Sequence, residues 1–252
     1  MKRLAVIFLA AFSITFTGCI DIIEEVFLKN DGTGKFTLTM DMSGLMQNEF
    51  MKSLIEEEMD KNTEGDASNG IQDMDSTFYF SDAPDSIRAK FADNPEFLEK
   101  VAMRTKVSEA DGEFKIAFDL DFEKLSDIDY FFQNLAKLQE GTDGPGDMEG
   151  LFPSVGQGQK LYALAGKKFK RMDTSSGMSE MGMNEEDLSM MKMMFSGANY
   201  KTIYHLPGKV KKTSNPASEI SDDKKTVTTT IPMLDYLEGK ANAANEVKFK
   251  KK

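Results

Sequence analysis

Three methionines, Met178, Met181 and Met183, form a Met-x-x-Met-x-Met array in a stretch that is dense in this residue. Thioether sulfur is a soft ligand that suits Cu(I), so the array is a candidate metal site. Methionine is also an adaptable hydrophobic residue that fills irregular gaps or lines a binding surface. The methionines that follow, up to Met194, recur at helical spacing, and this favours a core helix or a binding surface over copper.

Carboxylates form a second group of candidates, at the junction where a predicted strand enters a predicted helix. The group comprises Asp119, Asp121, Asp127 and Asp129. Paired carboxylates can perform acid–base chemistry or hold Ca²⁺. Strand ends and the first turn of a helix favour the same residues, and Asp41 repeats the pattern earlier in the chain. We therefore interpret these aspartates as structural, and the sequence predicts neither a metal site nor catalytic residues there.

Few other residues are available for catalysis. The chain has one His, one Cys and no Trp, which leaves little material for Ser-His or Cys-His catalysis or for a His-rich metal site. His205 alternates within a predicted strand and has no neighbouring motif, so we expect a structural or exposed side chain. A single Cys excludes an intramolecular disulfide. The composition predicts a protein that is not an enzyme and that holds no cofactor.

The sole cysteine, Cys19, follows a segment typical of export signals. A short basic start precedes an uncharged apolar run from Leu4 to Phe16. A membrane-spanning helix needs about 20 apolar residues, so this shorter run predicts the h-region of a signal peptide. The small residues Thr17 and Gly18 then lead into Cys19. The alternative is a signal peptide cut elsewhere, with Cys19 left as a spare thiol.

A cysteine in this position resembles the lipobox of bacterial lipoproteins, with Phe16 where that family usually has Leu. The resemblance implies that residues 1–18 are a lipoprotein signal peptide, that Cys19 receives a diacylglycerol, and that the new amine is often acylated. Two or three acyl chains anchor a protein stably, at about 0.8 kcal/mol per buried CH₂. We therefore expect the membrane to be a partner through an N-terminal lipid anchor.

The residues after Cys19 bear on the location within the cell envelope. In enterobacterial lipoproteins an Asp in the next position favours inner-membrane retention, and Ile20 stands there instead. By this resemblance the outer membrane is favoured, with its face left open. Asp21, Glu24 and Glu25 also resemble the acidic surface-export signals of Bacteroidota lipoproteins. The formal net charge of −11 disfavours a nucleic-acid partner.

The elements that must position these residues show a weak internal repeat. The segment "GKFTLTMDMS" from Gly34 matches "GEFKIAFDLD" from Gly112. Each alternates apolar and polar residues, which predicts a half-buried strand, and each enters a predicted helix. The first helix carries Met51, Leu54, Ile55 and Met59, and the second carries Ser126 as a cap and the apolar face Ile128, Phe131, Phe132, Leu135 and Leu138. The segment from Lys160 to Met172, with a helix over 184–195, is a candidate third unit.

The remaining segments are predicted to be strands and loops. "DIIEEVFL" directly after the lipobox, "NYKTIYH", "KKTVTTTIP" and "EVKFKKK" read as strands, with a break at Pro207 and Gly208. Residues 64–70 and 140–159 read as mobile loops. The sequence predicts one α+β domain over residues 19–252, in which repeated strand–turn–strand–helix units build an antiparallel sheet with helices packed on one face.

The layout resembles that of poorly characterised Bacteroidota-type envelope lipoproteins. The resemblance rests on the strand after Cys19, the Asp-Gly turn at Asp31, and the late segment from Tyr204 to Val210. It extends faintly to the LppM-like lipoprotein domain, which is associated with lipid binding. It implies a lipid-anchored, non-enzymatic protein that binds a hydrophobic ligand or a protein partner at the membrane. A structural or assembly lipoprotein without a ligand, and a copper carrier that uses the Met-rich segment, are the alternatives.

Overall fold

The computed structural model describes residues 20–46, 53, 73–139, 159–173, 189, 191–192 and 195–250. Several predictions fall outside these ranges: the signal peptide over residues 1–18, Cys19, Met178, Met181 and Met183, the apolar face of the first predicted helix, most of the helix over 184–195, and the loops over 64–70 and 140–158. Within the described part of the chain, no helix is long and apolar enough to span a membrane.

In the described part of the chain, twelve strands build two sheets. In chain order they are β1 (Asp21–Leu28), β2 (Gly34–Asp41), β3 (Met74–Tyr79), β4 (Val101–Ser108), β5 (Glu113–Phe122), β6 (Tyr162–Ala165), β7 (Lys168–Arg171), β8 (Asn199–His205), β9 (Val210–Thr213), β10 (Ser218–Ile220), β11 (Thr226–Pro232) and β12 (Asn245–Phe249). The large sheet has eight strands in the order β10-β11-β8-β1-β2-β5-β4-β3, and the small sheet has four in the order β6-β7-β12-β9.

Short helices connect these strands. They are α1 (Ser43–Met46), α2 (Asp85–Arg88), α3 (Ser126–Gln133), α4 (Leu135–Gln139) and α5 (Met233–Leu237), with 3₁₀ helices at Phe80–Asp82, Ala89–Phe91 and Pro95–Lys100. Phe131 of α3 packs edge-on against Phe36 and Phe118 of the large sheet, and Tyr236 of α5 stacks on Tyr200. The predicted α+β class, with helices on one face of a largely antiparallel sheet, is confirmed.

The two repeated units lie side by side at the centre of the large sheet. β1, β2 and α1 form the first unit, and β4, β5 and α3 form the second. β2 pairs with β5 in antiparallel register, so that Phe36 lies opposite Leu120 and Leu38 opposite Phe118. The alternating apolar residues of both strands therefore face the same core, as the period of two predicts.

Two features of the architecture differ from the prediction. β1 pairs with β8 in parallel. Parallel strands need a long connection, and the chain between Leu28 and Asn199 supplies it. The break at Pro207 and Gly208 then separates β8 from β9, and β9 joins the small sheet. The small sheet packs on the same face of the large sheet as the helices, where Phe169 of β7 contacts Tyr204 of β8. The protein therefore has a second, smaller sheet in addition to the predicted one.

The start of α3 also differs from the prediction. Ser126 is the first helical residue, and Leu125 occupies the N-cap position without a side-chain capping hydrogen bond. The Asp127 carboxylate instead accepts the backbone N–H groups of Glu123 and Lys124, at 3.0 and 3.1 Å. Asn134 separates α3 from α4, so the predicted single helix is two short ones. The predicted apolar face is buried throughout, at Ile128, Phe131, Phe132, Leu135 and Leu138.

The matching glycines of the two units have different roles. Gly34 opens β2 where a Cβ atom would lie 2.0 Å from the backbone oxygen of Phe27 and 2.6 Å from the Phe122 ring. Gly112 instead adopts a φ of +62°, and a Cβ atom there would have nothing within 4 Å. The close approach of two backbones requires the first glycine, whereas the turn conformation favours the second.

Candidate functional site on the first strand

β1 begins two residues after Cys19, and each of its two faces carries a polar cluster. Its even-numbered side chains point into the core, where Ile22 and Val26 flank Glu24. Glu24 has no exposed surface. An ionisable side chain in this position needs partners, because an unpaired buried charge is strongly unfavourable.

Arg171 of β7 supplies the main partner of Glu24. Its Nε lies 2.8 Å from Oε2 and its Nη2 lies 3.0 Å from Oε1, which is the two-point geometry that guanidinium and carboxylate groups favour. The hydroxyl of Tyr162 donates to Oε2 at 2.5 Å, and the hydroxyl of Tyr200 donates to Oε1. Arg171 also donates to the Tyr200 hydroxyl at 2.9 Å. These four side chains form the buried polar cluster.

The buried polar cluster joins the two sheets. Glu24 and Tyr200 lie on adjacent parallel strands of the large sheet, and Tyr162 and Arg171 lie opposite each other in the small sheet. Each of these four side chains occupies an inward-facing position of its strand, where the alternating pattern would otherwise place an apolar residue. The cluster therefore fixes how the small sheet lies on the large one.

The charge state of the cluster follows from its contacts. Burial raises the pKa of Glu24, but the charge and hydrogen bonds of Arg171 outweigh burial and leave that pKa below its ordinary value. Burial and the Glu24 charge together hold the pKa of Tyr162 and of Tyr200 well above the ordinary value. The carboxylate stays ionised and the phenols stay protonated at neutral pH. Because no solvent reaches them, these groups meet no substrate, and we assign them a structural role.

Two further hydroxyls lie beside the buried polar cluster. The side chains of Thr202 and Tyr204 are buried, and within the described part of the chain their oxygens make no hydrogen bond of regular geometry, although the Tyr204 hydroxyl lies near those of Thr202 and Tyr162. Burial raises the pKa of Tyr204, which keeps its hydroxyl neutral. Tyr200 and Tyr204 are therefore two buried phenols on the same face of one strand, and of the two only Tyr200 donates to a carboxylate.

The open face of β1 carries a second cluster, around the single histidine. His205 Nε2 lies 2.7 Å from Glu25 Oε1, and its Nδ1 lies 3.2 Å from Thr226 Oγ1. The imidazole stacks on Phe27 with ring centres 4.1 Å apart. A hydroxyl, an imidazole and a carboxylate in series is the arrangement that activates nucleophiles. Here the three groups are neighbours across adjacent strands, so sheet pairing accounts for their contacts.

A shallow cleft of about 220 Å³ opens beside His205 at the end of β1. Its lining combines the apolar side chains of Phe27, Leu28 and Leu206 with His205 and the charged side chains of Lys29, Lys35 and Asp121. Enclosed sites for hydrophobic ligands are mostly apolar. This cleft is open to solvent rather than enclosed, and in that respect it does not match such a site.

The predicted carboxylate group is dispersed in the structure. Asp119 is held by Arg104 at 2.6 Å and by the Thr37 hydroxyl at 2.8 Å. Asp129 is buried and accepts the backbone N–H of Leu161 at 2.7 Å. Among the residues that the structure describes, no three His, Cys, Asp or Glu side chains come together as a metal site.

The acidic residues that follow Cys19 are all engaged in the fold. The Asp21 carboxylate accepts the backbone N–H of Asn199 at 2.7 Å and contacts Lys201 Nζ at 2.5 Å. Glu24 belongs to the buried polar cluster, and Glu25 contacts His205. Of these three carboxylates only Glu24 is fully buried, whereas Asp21 and Glu25 keep 17% and 29% of their side-chain surface exposed.

No family model and no curated protein matches the chain. The chain is similar to the solved structure of the folded domain of the LppM protein of Mycobacterium tuberculosis, with 9% sequence identity and a TM-score of 0.40. That similarity covers 94% of this chain and 92% of the other. The Bacteroidota-type resemblance has no support at the level of sequence and stays a prediction.

Proposed function

We propose that this protein is a lipid-anchored, non-enzymatic lipoprotein of the cell envelope, acylated at Cys19 and held at the outer membrane. The observation that carries the proposal is the short distance along the chain between the acylation site and the fold. Ile20 is 3% exposed, and β1 begins at Asp21. The acyl chains would therefore hold the large sheet itself at the bilayer, with no tether between them.

The non-enzymatic part of the proposal rests on the chemistry of the polar clusters. The buried polar cluster around Glu24 has no contact with solvent, and the groups around His205 are accounted for by sheet pairing. Catalytic groups need a concave site in which to meet a substrate. The described clefts offer a mixed, open lining instead.

Packing between the two sheets favours a partner at the surface over a hydrophobic ligand held inside. Tyr162 stacks on Phe169, and both rings contact Tyr204 across the space between the sheets. Close-packed aromatic rings leave no room for an acyl chain in that space. A protein or membrane partner is therefore the better-supported choice, and an assembly lipoprotein without a ligand fits the same packing.

Acylation is tested on the full chain produced in a Gram-negative host. We expect the wild-type protein to yield an N-terminal peptide that begins at Cys19 and carries diacylglycerol, and to incorporate labelled palmitate. The Cys19→Ser variant is expected to incorporate none, whereas the nearby Thr17→Ser variant, which keeps the thiol, is expected to match wild type. A mature wild-type chain with a free Cys19 thiol would overturn the proposal.

The nature of the partner is tested by native mass spectrometry of the acylated protein. We expect a mass that the protein and its acyl chains explain fully. A co-purifying lipid that stays bound at high salt would favour an enclosed hydrophobic ligand over a partner at the surface.

A further inference from the structure

The outer face of the small sheet carries a row of lysines. Lys168 of β7 and Lys212 of β9 each lie directly opposite Lys248 of β12. The inward residues of the same strands, such as Phe169 and Val247, are buried, so alternation places the lysines on the solvent side. Three adjacent strands thus present three ammonium groups in one line, which we call the lysine row.

Like charges directly opposite each other destabilise a sheet. Lys170 adds a fourth ammonium group to the same face, and Glu246 is the carboxylate between them, 2.7 Å from Lys170, 3.5 Å from Lys168 and 3.7 Å from Lys248. On the strands as described, one carboxylate therefore faces four lysines. The side chains of Lys168 and Lys248 are 47% exposed, so their charge is available to a partner.

This concentration of positive charge contrasts with the rest of the chain, whose formal net charge is −11. The lysine row places like charges opposite each other, and its charge is opposite in sign to that of the whole chain. A pattern that does not stabilise the sheet indicates a functional site. An anionic partner would relieve the repulsion within the lysine row.

We propose that the lysine row binds the phosphate headgroups of an anionic bilayer. This inference deepens the proposed function, and it rests on it in one respect, namely that acylation at Cys19 keeps the domain within reach of the membrane.

The geometry of the face favours a bilayer over a compact anion. Neighbouring strands lie about 4.8 Å apart, so the lysine row extends over roughly 10 Å, and it lies on a flat sheet rather than in a cleft. The residues beside it, Ala163 and Ala165, are small and lie on the same face. Lysine is a flexible, hydrated point charge, which suits a mobile field of headgroups better than two-point recognition of one phosphate.

The test uses the full-length acylated lipoprotein, reconstituted in vesicles of phosphatidylcholine alone or mixed with phosphatidylglycerol. An amine-reactive reagent labels the lysines, and mass spectrometry gives the labelling rate at each position. We expect Lys168, Lys170, Lys212 and Lys248 to be labelled several-fold more slowly on the anionic vesicles, with the difference lost at high salt. Lys106 and Lys115, on the opposite face of the large sheet, serve as internal controls with equal rates on both vesicles.

Two triple variants with the same change in net charge complete the test. K168Q/K212Q/K248Q is expected to lose the slower labelling of Lys170, whereas K35Q/K106Q/K115Q on the open face is expected to retain it. Equal labelling of the lysine row on both kinds of vesicle would overturn the inference. Protection by soluble polyglutamate but not by vesicles would also overturn it, in favour of an acidic protein.

Vesicle flotation separates this inference from the proposed function. Protein that floats with neutral vesicles but shows no lipid-dependent protection retains the anchor and contradicts the role of the lysine row. Protein that fails to float contradicts the anchor, while protection by anionic vesicles would still support the lysine row.

Discussion

Glu24 and Arg171 lie 147 positions apart in the chain, yet their side chains form a two-point ion pair with no exposed surface. The pair joins the first strand of the large sheet to the small sheet. Its contribution is orientation, because a buried ion pair often stabilises no better than apolar residues of similar volume. Removal of one partner is a different matter, since it leaves a charge buried alone.

Replacement of either partner alone should therefore destabilise the protein strongly. We expect Arg171→Met or Glu24→Leu to lower the free energy of unfolding by about 3–5 kcal/mol, measured by urea denaturation. The double variant E24L/R171M should lose less than either single variant, because no unpaired charge remains. Losses that simply add would contradict the coupling of the two residues.

Tyr200 and Tyr204, two buried phenols on the same face of β8, provide a matched comparison. Tyr200→Phe removes a hydroxyl that donates to Glu24, and we expect a loss of about 1.5–3 kcal/mol in the free energy of unfolding. Tyr204→Phe removes a buried hydroxyl that makes no hydrogen bond of regular geometry in the described part of the chain and reaches no carboxylate, so we expect a smaller loss or none. Equal losses in the two variants would show that Tyr204 has a partner.

Stability should depend on pH with opposite signs at two buried carboxyls. The pKa of Glu24 is lowered in the folded state, so its contribution is present above the ordinary value of 4.5 and is lost as pH falls through the folded pKa. Burial raises the pKa of Asp129, so its contribution is present below the ordinary value of 3.8 and is lost as pH rises through the folded pKa.

Urea denaturation at a series of pH values tests both signs. The Glu24→Gln variant should show a shallower fall in stability in acid than wild type. The Asp129→Asn variant keeps an oxygen to accept the Leu161 N–H. Its free energy of unfolding, compared with that of wild type, should be higher at neutral pH than in acid. A parallel pH profile for wild type and either variant would contradict the corresponding assignment.

The glycines of the repeat should differ in their tolerance of a methyl group. Gly34→Ala places a Cβ atom against the backbone of Phe27 and the ring of Phe122, and we expect a loss of about 3 kcal/mol or more. Gly112→Ala meets open space and only the strain of a positive φ, which costs about 1–2 kcal/mol. Thermal unfolding of the two variants gives the order, and a reversed order would contradict the packing at β2.

The Met-rich segment remains a separate question, which a direct titration addresses. We expect no stoichiometric uptake of Cu(I) from a competing chelator, because methionine at helical spacing is typical of a core or binding face. Uptake of one equivalent that the M178L/M181L/M183L variant abolishes would instead establish a copper site.

Local patterns predicted individual strands well. The alternation in "GKFTLTMD" and "EFKIAFDL" reflects one buried face per strand, and β2 and β5 follow it. The break at Pro207 and Gly208 between β8 and β9 was equally predictable, because proline has no N–H to donate to a neighbouring strand and glycine weakens a strand. Local sequence determined these elements, so they could be predicted without knowledge of the rest.

Long-range relationships were not predictable in the same way. The pairing of β1 with β8 and the recruitment of β9 into a second sheet depend on packing between distant segments. The partner of Glu24 belongs to this class, although its position between Ile22 and Val26 on an otherwise apolar face was a visible signal. A charged residue in such a row predicts a buried partner without identifying it.

β1 is hydrogen-bonded along both edges, to β2 and to β8, and it begins two residues after Cys19, the proposed acylation site. A pull on the anchor from the membrane would act along this strand and load both ladders in shear, so that many backbone hydrogen bonds must break together. If the force were instead applied to an edge strand and perpendicular to its axis, the backbone hydrogen bonds would break one at a time. We expect single-molecule pulling from residue 19 to require a higher unfolding force than pulling apart of the β3 edge.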